Sequence, residues 1–179
     1  MTSFLTLPGI GGSGETHWQT LWEAADPGFA RFRPSDWDAP DLADWLTALE
    51  RHIDQSGPRP VLVAHSLACL LVVHAAERIA DRIGGAFLVA VPDPGSAAFP
   101  AAASSFADPP RRPLPFPALI VASSDDPYAA PAYVRSCAQA WDVGLIDIGA
   151  CGHINGTSGL GAWGQGRQLL AAFHAGLRR

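Results

Sequence analysis

The chain has 179 residues, a formal charge of −5 and 48% apolar residues, enough for one domain with a sizeable core and too little for two ordinary ones. All 12 basic residues are arginine, which excludes chemistry that needs a lysine amine, such as the phosphate lysine of a P-loop or the Schiff base of a pyridoxal phosphate enzyme. The mild acidity leaves no basic stripe for a nucleic acid to displace counterions from.

Ser3–Leu7 reads as a first strand, followed by the glycine-rich run Leu7–Gly14 and a helix over Thr16–Ala25. A short strand is expected at Phe29–Arg33. Asp41–Gln55 then places Leu42, Trp45, Leu46, Leu49 and Ile53 on one helical stripe. Pro60–Ala64 is a buried strand and Leu67–Ala80 an apolar helix, with Ala86–Val91 the next strand. Pro92–Pro117 breaks the rhythm with eight prolines, a density that prevents long regular structure. It reads as a meandering connection, with a flexible wall over a pocket as the alternative. Ala118–Ala122 and Val143–Ile148 are further strands, and Ala130–Trp141 and Gly166–Arg178 further helices. The strands are apolar throughout and do not alternate. That pattern predicts a single α/β domain over residues 1–179, a three-layer sandwich whose mostly parallel sheet of five or six strands carries helices on both faces.

The segment Val61–Cys69 carries the strongest chemical signal. A buried strand ends, Ser66 follows, and an apolar helix begins at once. With Ala64 and Ala68 two positions either side, this is small-x-Ser-x-small, the layout of a nucleophile elbow. Bulky neighbours there would collide with the adjacent strand and helix. The competing reading of Ser66 is a plain N-cap.

A serine nucleophile needs a base, and the base needs an orienting acid. Ser123-Ser124-Asp125-Asp126-Pro127 follows one strand, and Gly152-His153 follows the last. Ser66, Asp126 and His153 therefore stand in the chain order of an α/β-hydrolase triad, each at a strand's C-terminal end. Asp126 is preferred as the acid, with Asp125 and Asp93 as competitors. His65 should point away from the serine hydroxyl and serve packing or hydrogen bonding. An oxyanion needs two preorganised donors. Leu67 N–H supplies one, and the loop after the first strand the other, assigned to Ile10 with Gly11 as the near alternative.

The same loop, Gly9-Ile10-Gly11-Gly12-Ser13-Gly14, also satisfies G-x-G-x-x-G, a short match to the dinucleotide fingerprint. The acid that should follow at the end of the second strand is missing. His17, His52, His74 and His174 lack metal-ligand spacing, and Cys69, Cys137 and Cys151 form no C-x-x-C. No metal and no cofactor is expected. Met1–Gly9 has neither a charged n-region nor a long apolar h-region, and Leu67–Ala76 is about half a membrane span. The expected setting is the cytoplasm, without membrane association.

Three blocks resemble the small serine hydrolases related to retinoblastoma-binding protein 9 and the bacterial YdeN proteins. They are Leu7-Pro8-Gly9 through His17-Trp18, then Ala64-His65-Ser66, then Ser124-Asp125-Asp126-Pro127 with Cys151-Gly152-His153-Ile154-Asn155. Gly152–Asn155, with Ser158-Gly159 and Gly161-x-Trp163 after it, is especially like the bacterial members. The resemblance covers nearly the whole chain. It implies Ser66 as nucleophile, Asp126 as acid and His153 as base, in a compact α/β-hydrolase fold with no cap domain. It also implies hydrolysis of carboxylic esters, here small or medium acyl esters. Alanine stands at positions 64 and 68 where the pattern usually has glycine. Gly9, Gly11, His17 and Trp18 are expected to line the substrate site; for Trp18, four residues before Trp22 on one helical face, ordinary core packing is the alternative. The alternative functions are a non-catalytic binding protein on this fold and a dinucleotide binder using Gly9–Gly14. The sequence names no protein partner.

Overall fold

A computed structural model of the chain describes residues 4–177. Its elements in chain order are β1 (Phe4–Leu7), α1 (Trp18–Ala25), β2 (Phe29–Arg31), α2 (Leu42–Gln55), β3 (Val61–His65), α3 (Leu67–Ile79), β4 (Gly85–Val89), a 3-10 helix (Ala101–Phe106), β5 (Ala118–Ala122), α4 (Pro131–Trp141), β6 (Gly144–Asp147) and α5 (Gly164–Gly176). The expected ends at Ser3 and Arg178 lie outside the described residues. The six strands form one sheet in the order β2-β1-β3-β4-β5-β6. Every neighbouring pair is parallel, so the sheet is parallel throughout.

Side chains of a strand alternate between faces, so a parallel sheet covered on both sides must be apolar on both. Leu62 and Ala64 of β3 face a cluster built with α2, α3 and α4, through Trp45, Leu49, Leu70, Val134 and Trp141. Val61 and Val63 face the opposite cluster, built with α1 and α5 through Trp18, Trp22 and Leu170. This explains the unalternating runs in the sequence. It also explains α3, which is buried almost all round and sits centrally over the sheet.

Most element boundaries shift by one or two residues from the expected ones, β3 to Val61–His65 and β6 to Gly144–Asp147 among them. β2 ends at Arg31 and not Arg33; the last bond to β1 is Phe32 N–H to Thr6 O at 3.0 Å, ahead of Pro34, which has no N–H to offer. β4 spans Gly85–Val89 and not Ala86–Val91: Ala90 adopts φ 56° and turns the chain out of the sheet. Gly85 belongs to β4 by its pairing with Val61, and it is glycine because a Cβ there would lie 2.8 Å from the Pro117 carbonyl oxygen. The proline-rich segment is more ordered than a meandering connection. Ala103 and Phe106 of its 3-10 helix are buried against the α2–α3 face. Trp141 Nε1 donates to Pro110 O at 2.9 Å and Leu114 N–H to Trp141 O at 2.9 Å.

Strand order reverses between β1 and β3, since the chain leaves β1 toward β2 and returns to β3 on the other side. In open α/β sheets that reversal opens a crevice at the C-terminal strand edge. The Gly9–His17 loop leaves β1 there, and Ser66 leaves β3 beside it. Loops after β5 and β6 bring Asp126 and His153 to the same edge. No separate cap domain covers it among the described residues.

Candidate active site

Ser66 stands between β3 and α3 with φ 56° and ψ −126°, a conformation that a non-glycine residue rarely holds. The turn is held from both sides. Ser66 N–H donates to Val89 O at 2.9 Å, and Ser66 O accepts from Cys69 N–H at 2.8 Å. An N-cap serine has extended backbone and bonds its own helix through its hydroxyl. Ser66 does neither: its side chain makes no cap hydrogen bond and turns to His153 instead. Ala64 and Ala68 are wholly buried beneath it, so methyl groups fit where the pattern usually has glycine. Cys69 lies under the same turn, its Sγ 3.3 Å from Val89 O, and burial pushes its thiol well above the usual range.

His153 Nδ1 is 2.9 Å from both carboxylate oxygens of Asp126, and its Nε2 is 2.8 Å from Ser66 Oγ. A carboxylate only accepts, so Nδ1 carries the proton and Nε2 accepts from the serine hydroxyl. Both partners are buried, with side-chain exposures of 9% for His153 and 4% for Asp126. Asp126 Oδ1 also accepts from Tyr128 N–H, which fixes the carboxylate plane. Asp125 points elsewhere. Its Oδ1 accepts from Ser123 Oγ and from Gly152 N–H, each at 2.8 Å, and the Ser123 hydroxyl foremost holds its carboxyl below the ordinary value. Asp93 folds onto its own turn, accepting from Gly95 N–H at 2.7 Å. Of the three candidate acids, Asp126 is the one in contact with His153.

Two backbone N–H groups beside the cavity that holds Ser66 are without a partner among the described residues. Leu67 N–H opens α3, and Ile10 N–H lies in the loop after β1. Gly11 N–H is occupied, donating to Trp37 O at 3.2 Å. Gly9 brings the loop close: a Cβ there would stand 3.0 Å from Ser66 Cβ and 3.4 Å from Leu67 N.

The profile of the serine hydrolase family matches residues 4–172. The chain belongs to the serine hydrolase family. A Pectobacterium atrosepticum protein described as a YdeN-like hydrolase is 32% identical, with 99% of this chain and 92% of that one covered and a TM-score of 0.88. The YdeN protein of B. subtilis is 20% identical over 98% of this chain and 100% of that one, with a TM-score of 0.76. A hydrolase of the α/β superfamily from Xanthomonas campestris pv. campestris shares the fold at 21% identity and a TM-score of 0.63, covering 95% of this chain and 99% of that one. No curated protein sequence matches the chain.

In this serine hydrolase the site opens into a cavity of about 360 Å³ that includes Ser66, His153 and Leu67. Ile10, Gly11 and His17 line it. Pro92, Phe99 and Pro100 show that the proline-rich segment supplies one wall. Tyr128 forms part of the lining beside His153, their ring centroids 4.4 Å apart. Trp18 does not reach the cavity. It is 1% exposed, packs on Trp22 and Trp163, and donates from Nε1 to Ile154 O at 2.8 Å, so it anchors the His153 loop from below. Gly9 is not part of the lining either; it presses on the Ser66 turn.

His65 lines the same cavity and donates from Nε2 to the His153 carbonyl at 2.9 Å. Burial foremost, then the neighbouring His17 and His153, keep it neutral well below the ordinary histidine range. His17 caps α1 through Nδ1, which accepts from Gln19 N–H. Burial first, then Arg31, lowers its pKa from 6.5 to about 4. Between those two values the unfolded chain binds more protons than the folded one, so stability should be full above about pH 6.5 and fall as pH drops toward 4. The His17 contribution is on the order of 3 kcal/mol at 1.36 kcal/mol per pKa unit. Urea titrations at pH 7 and pH 4.5 measure it. His17→Asn keeps a capping side chain and should flatten part of the slope; an unchanged slope contradicts the assignment.

Among the described residues no group of three His, Cys, Asp or Glu could hold a metal ion, and no helix is long and apolar enough to cross a membrane. The loop does not fit a dinucleotide. In that fingerprint the glycines run straight into a helix whose free N-terminus meets the pyrophosphate. Here α1 starts only at Trp18, its N-terminus is closed by the His17 imidazole, and no acid stands at the end of β2, Asp36 coming only after Pro34 and Ser35. Sequence reasoning missed Tyr128, legible only as the residue two after Asp126. It also missed the polar residues behind the glycine loop, Gln19, Glu23 and Arg31, whose one signal is that they carry polar groups among the apolar residues of α1 and β2.

Proposed function

We propose that the protein is a carboxylic ester hydrolase working through an acyl-enzyme on Ser66, with His153 as base and Asp126 as orienting acid. The observation that carries the reading is the unbroken hydrogen-bond chain from Asp126 through His153 to a hydroxyl held at a positive-φ elbow. His153 Nε2 takes the hydroxyl proton as Ser66 Oγ bonds to the acyl carbon. The carbonyl oxygen becomes an oxyanion, held by Leu67 and Ile10 N–H. As it collapses, the imidazolium gives its proton to the leaving alkoxide, and the alcohol departs. Water, deprotonated by the same nitrogen, attacks the acyl-serine; as this second adduct collapses, the imidazolium returns the proton to Ser66 Oγ and the acid is released. Asp126 keeps Nδ1 protonated and stabilises the imidazolium in both halves.

A cavity of about 360 Å³ with Ile10, Leu67, Pro92, Phe99, Pro100 and Tyr128 on its walls suits a small or medium acyl group. We place the enzyme in the cytoplasm, a reading supported by the three cysteines, all free thiols. The test is burst kinetics with p-nitrophenyl acetate and butyrate. The wild type should release one equivalent of nitrophenol per enzyme before steady turnover, and Ser66→Ala should show neither burst nor turnover. Equal turnover by that variant contradicts the proposal.

Gly9 gives a sharper geometric prediction. A methyl group there would press on the Ser66 turn, 3.0 Å from Ser66 Cβ and 3.2 Å from His65 O, and push the loop that carries Ile10 N–H away from the elbow. Gly9→Ala should lower kcat by about 10²-fold, the scale of losing one oxyanion donor. Far-ultraviolet circular dichroism should match that of wild type; a kcat within about twofold of wild type would count against the assigned oxyanion position.

A further inference from the structure

The loop that carries Ile10 N–H is held to its surroundings by one backbone bond, Gly11 N–H to Trp37 O at 3.2 Å. Its internal bonds are Gly12 N–H to Gly9 O and His17 N–H to Gly14 O, and Gly11, Gly12 and Ser13 are three consecutive residues at positive φ. Ser13 has a Cβ and does not favour φ 54°. What fixes this conformation lies behind the loop. Arg31 reaches over from the end of β2: Nη1 donates to Gly12 O at 2.6 Å and to Ser13 O at 3.1 Å, and Nη2 to Thr20 Oγ1 at 2.7 Å. Its Nε meets Glu23 at 2.9 Å, and Glu23 is held in turn by the Thr6 hydroxyl. Thr20 Oγ1 donates to Ser13 O at 2.7 Å. Gln19, wholly buried, donates to Val63 O at 2.9 Å and accepts from Ser13 Oγ at 2.7 Å, which ties the loop to the end of β3 just before the elbow.

We propose that Arg31 is a positioning residue for the oxyanion site: by holding the Gly12 and Ser13 carbonyls on the far side of the loop, it keeps the Ile10 N–H turned toward Ser66. The argument is geometric. The planar guanidinium addresses two carbonyls, a hydroxyl and a carboxylate at once, from one side of the loop. With their oxygens pinned there, the peptides before and after cannot rotate freely, and the Ile10 donor is set before substrate arrives. A lysine at this position would present a point charge and could not make the four contacts together. This rests on the Ser66 and Ile10 roles proposed above.

The test uses Arg31→Ala, Arg31→Lys and Thr20→Val with a p-nitrophenyl ester and an alkyl trifluoromethyl ketone. Ser66 Oγ adds to the ketone carbon, its proton passes to His153, and the former carbonyl oxygen becomes an oxyanion in the donor site. Arg31→Ala should lower kcat by about 10²-fold, the scale of a misplaced reacting group, with KM within about threefold. Its affinity for the ketone should fall by a similar factor, and added guanidinium ion should restore part of both. Arg31→Lys should behave nearly as badly. Thr20→Val removes the hydroxyl that links Ser13 O to Arg31 Nη2 while keeping the side-chain volume, so it stays interpretable if the arginine variants fail to fold. It should lose about threefold to tenfold in both readouts. A folded variant that loses thermal stability but keeps kcat and ketone affinity overturns the proposal, as does a loss of kcat without a loss of ketone affinity. A wild-type enzyme that forms no ketone adduct overturns the Ser66 reading itself, which separates the two failures.

Discussion

Asp126→Asn is expected to lower kcat by about 10⁴-fold while KM stays within about threefold. Asparagine is nearly isosteric, so the loop around it should survive, and the effect is on the imidazole. The carboxylate offers two acceptors to His153 Nδ1, both at 2.9 Å. An amide offers one acceptor and one donor. With the donor turned to Nδ1, the ring must carry its proton on Nε2, where it can no longer accept from Ser66. The imidazolium also loses its buried counter-charge, which cannot be replaced by solvent at 4% exposure. Asp125→Asn is the matched control. Asp125 shapes the loop through Ser123 and Gly152 but does not touch the ring. Its loss should cost about tenfold at most, as a displacement of Gly152 and not a change of tautomer. Steady-state kinetics of the two variants side by side distinguish these roles, and equal losses would reassign the acid.

His153→Ala should cost more, about 10⁶-fold in kcat, because no second base is available. His65 is the nearest other imidazole, its ring centroid 5.0 Å from that of His153, but its Nε2 proton is committed to the His153 carbonyl. His17 is closed off by its cap bond and its low pKa. Lysine, the other group that could deprotonate a serine, does not occur in the chain. Residues that act as a unit are not additive. Ser66→Ala with His153→Ala should therefore be about as inactive as either alone, and a further large drop in the double variant would show that the two side chains work separately.

The layer architecture was legible because apolar runs in β3, β4 and β5 reflect burial on both faces, a property that sequence carries directly. The order Ser66, Asp126, His153 was legible for a related reason: each lies at the end of such a run, and a parallel sheet brings all strand ends to one edge. The choice among Asp93, Asp125 and Asp126 needed coordinates, since adjacent aspartates differ only in where a turn points them. Trp18 shows the opposite limit. It sits beside a site residue in sequence, but His17 is the extended N-cap and Trp18 the first residue of α1, so neighbouring side chains part there, one to the cavity and one to the core. The proline-rich segment gave no sign of its 3-10 helix, because what orders it is non-local: Phe106 in the α2–α3 core and Pro110 on Trp141. The Arg31 contacts were equally invisible, since they join residues brought together only when β2 pairs with β1.

The most direct measurement is intact-mass analysis after exposure to a fluorophosphonate, followed by peptide mapping of the adduct. Ser66 Oγ should displace fluoride at phosphorus once per chain, with the modified peptide containing Ser66. Labelling should vanish in Ser66→Ala and slow sharply in His153→Ala. An adduct on any other residue, or wild-type protein left unlabelled under conditions that label another serine hydrolase, would contradict the account.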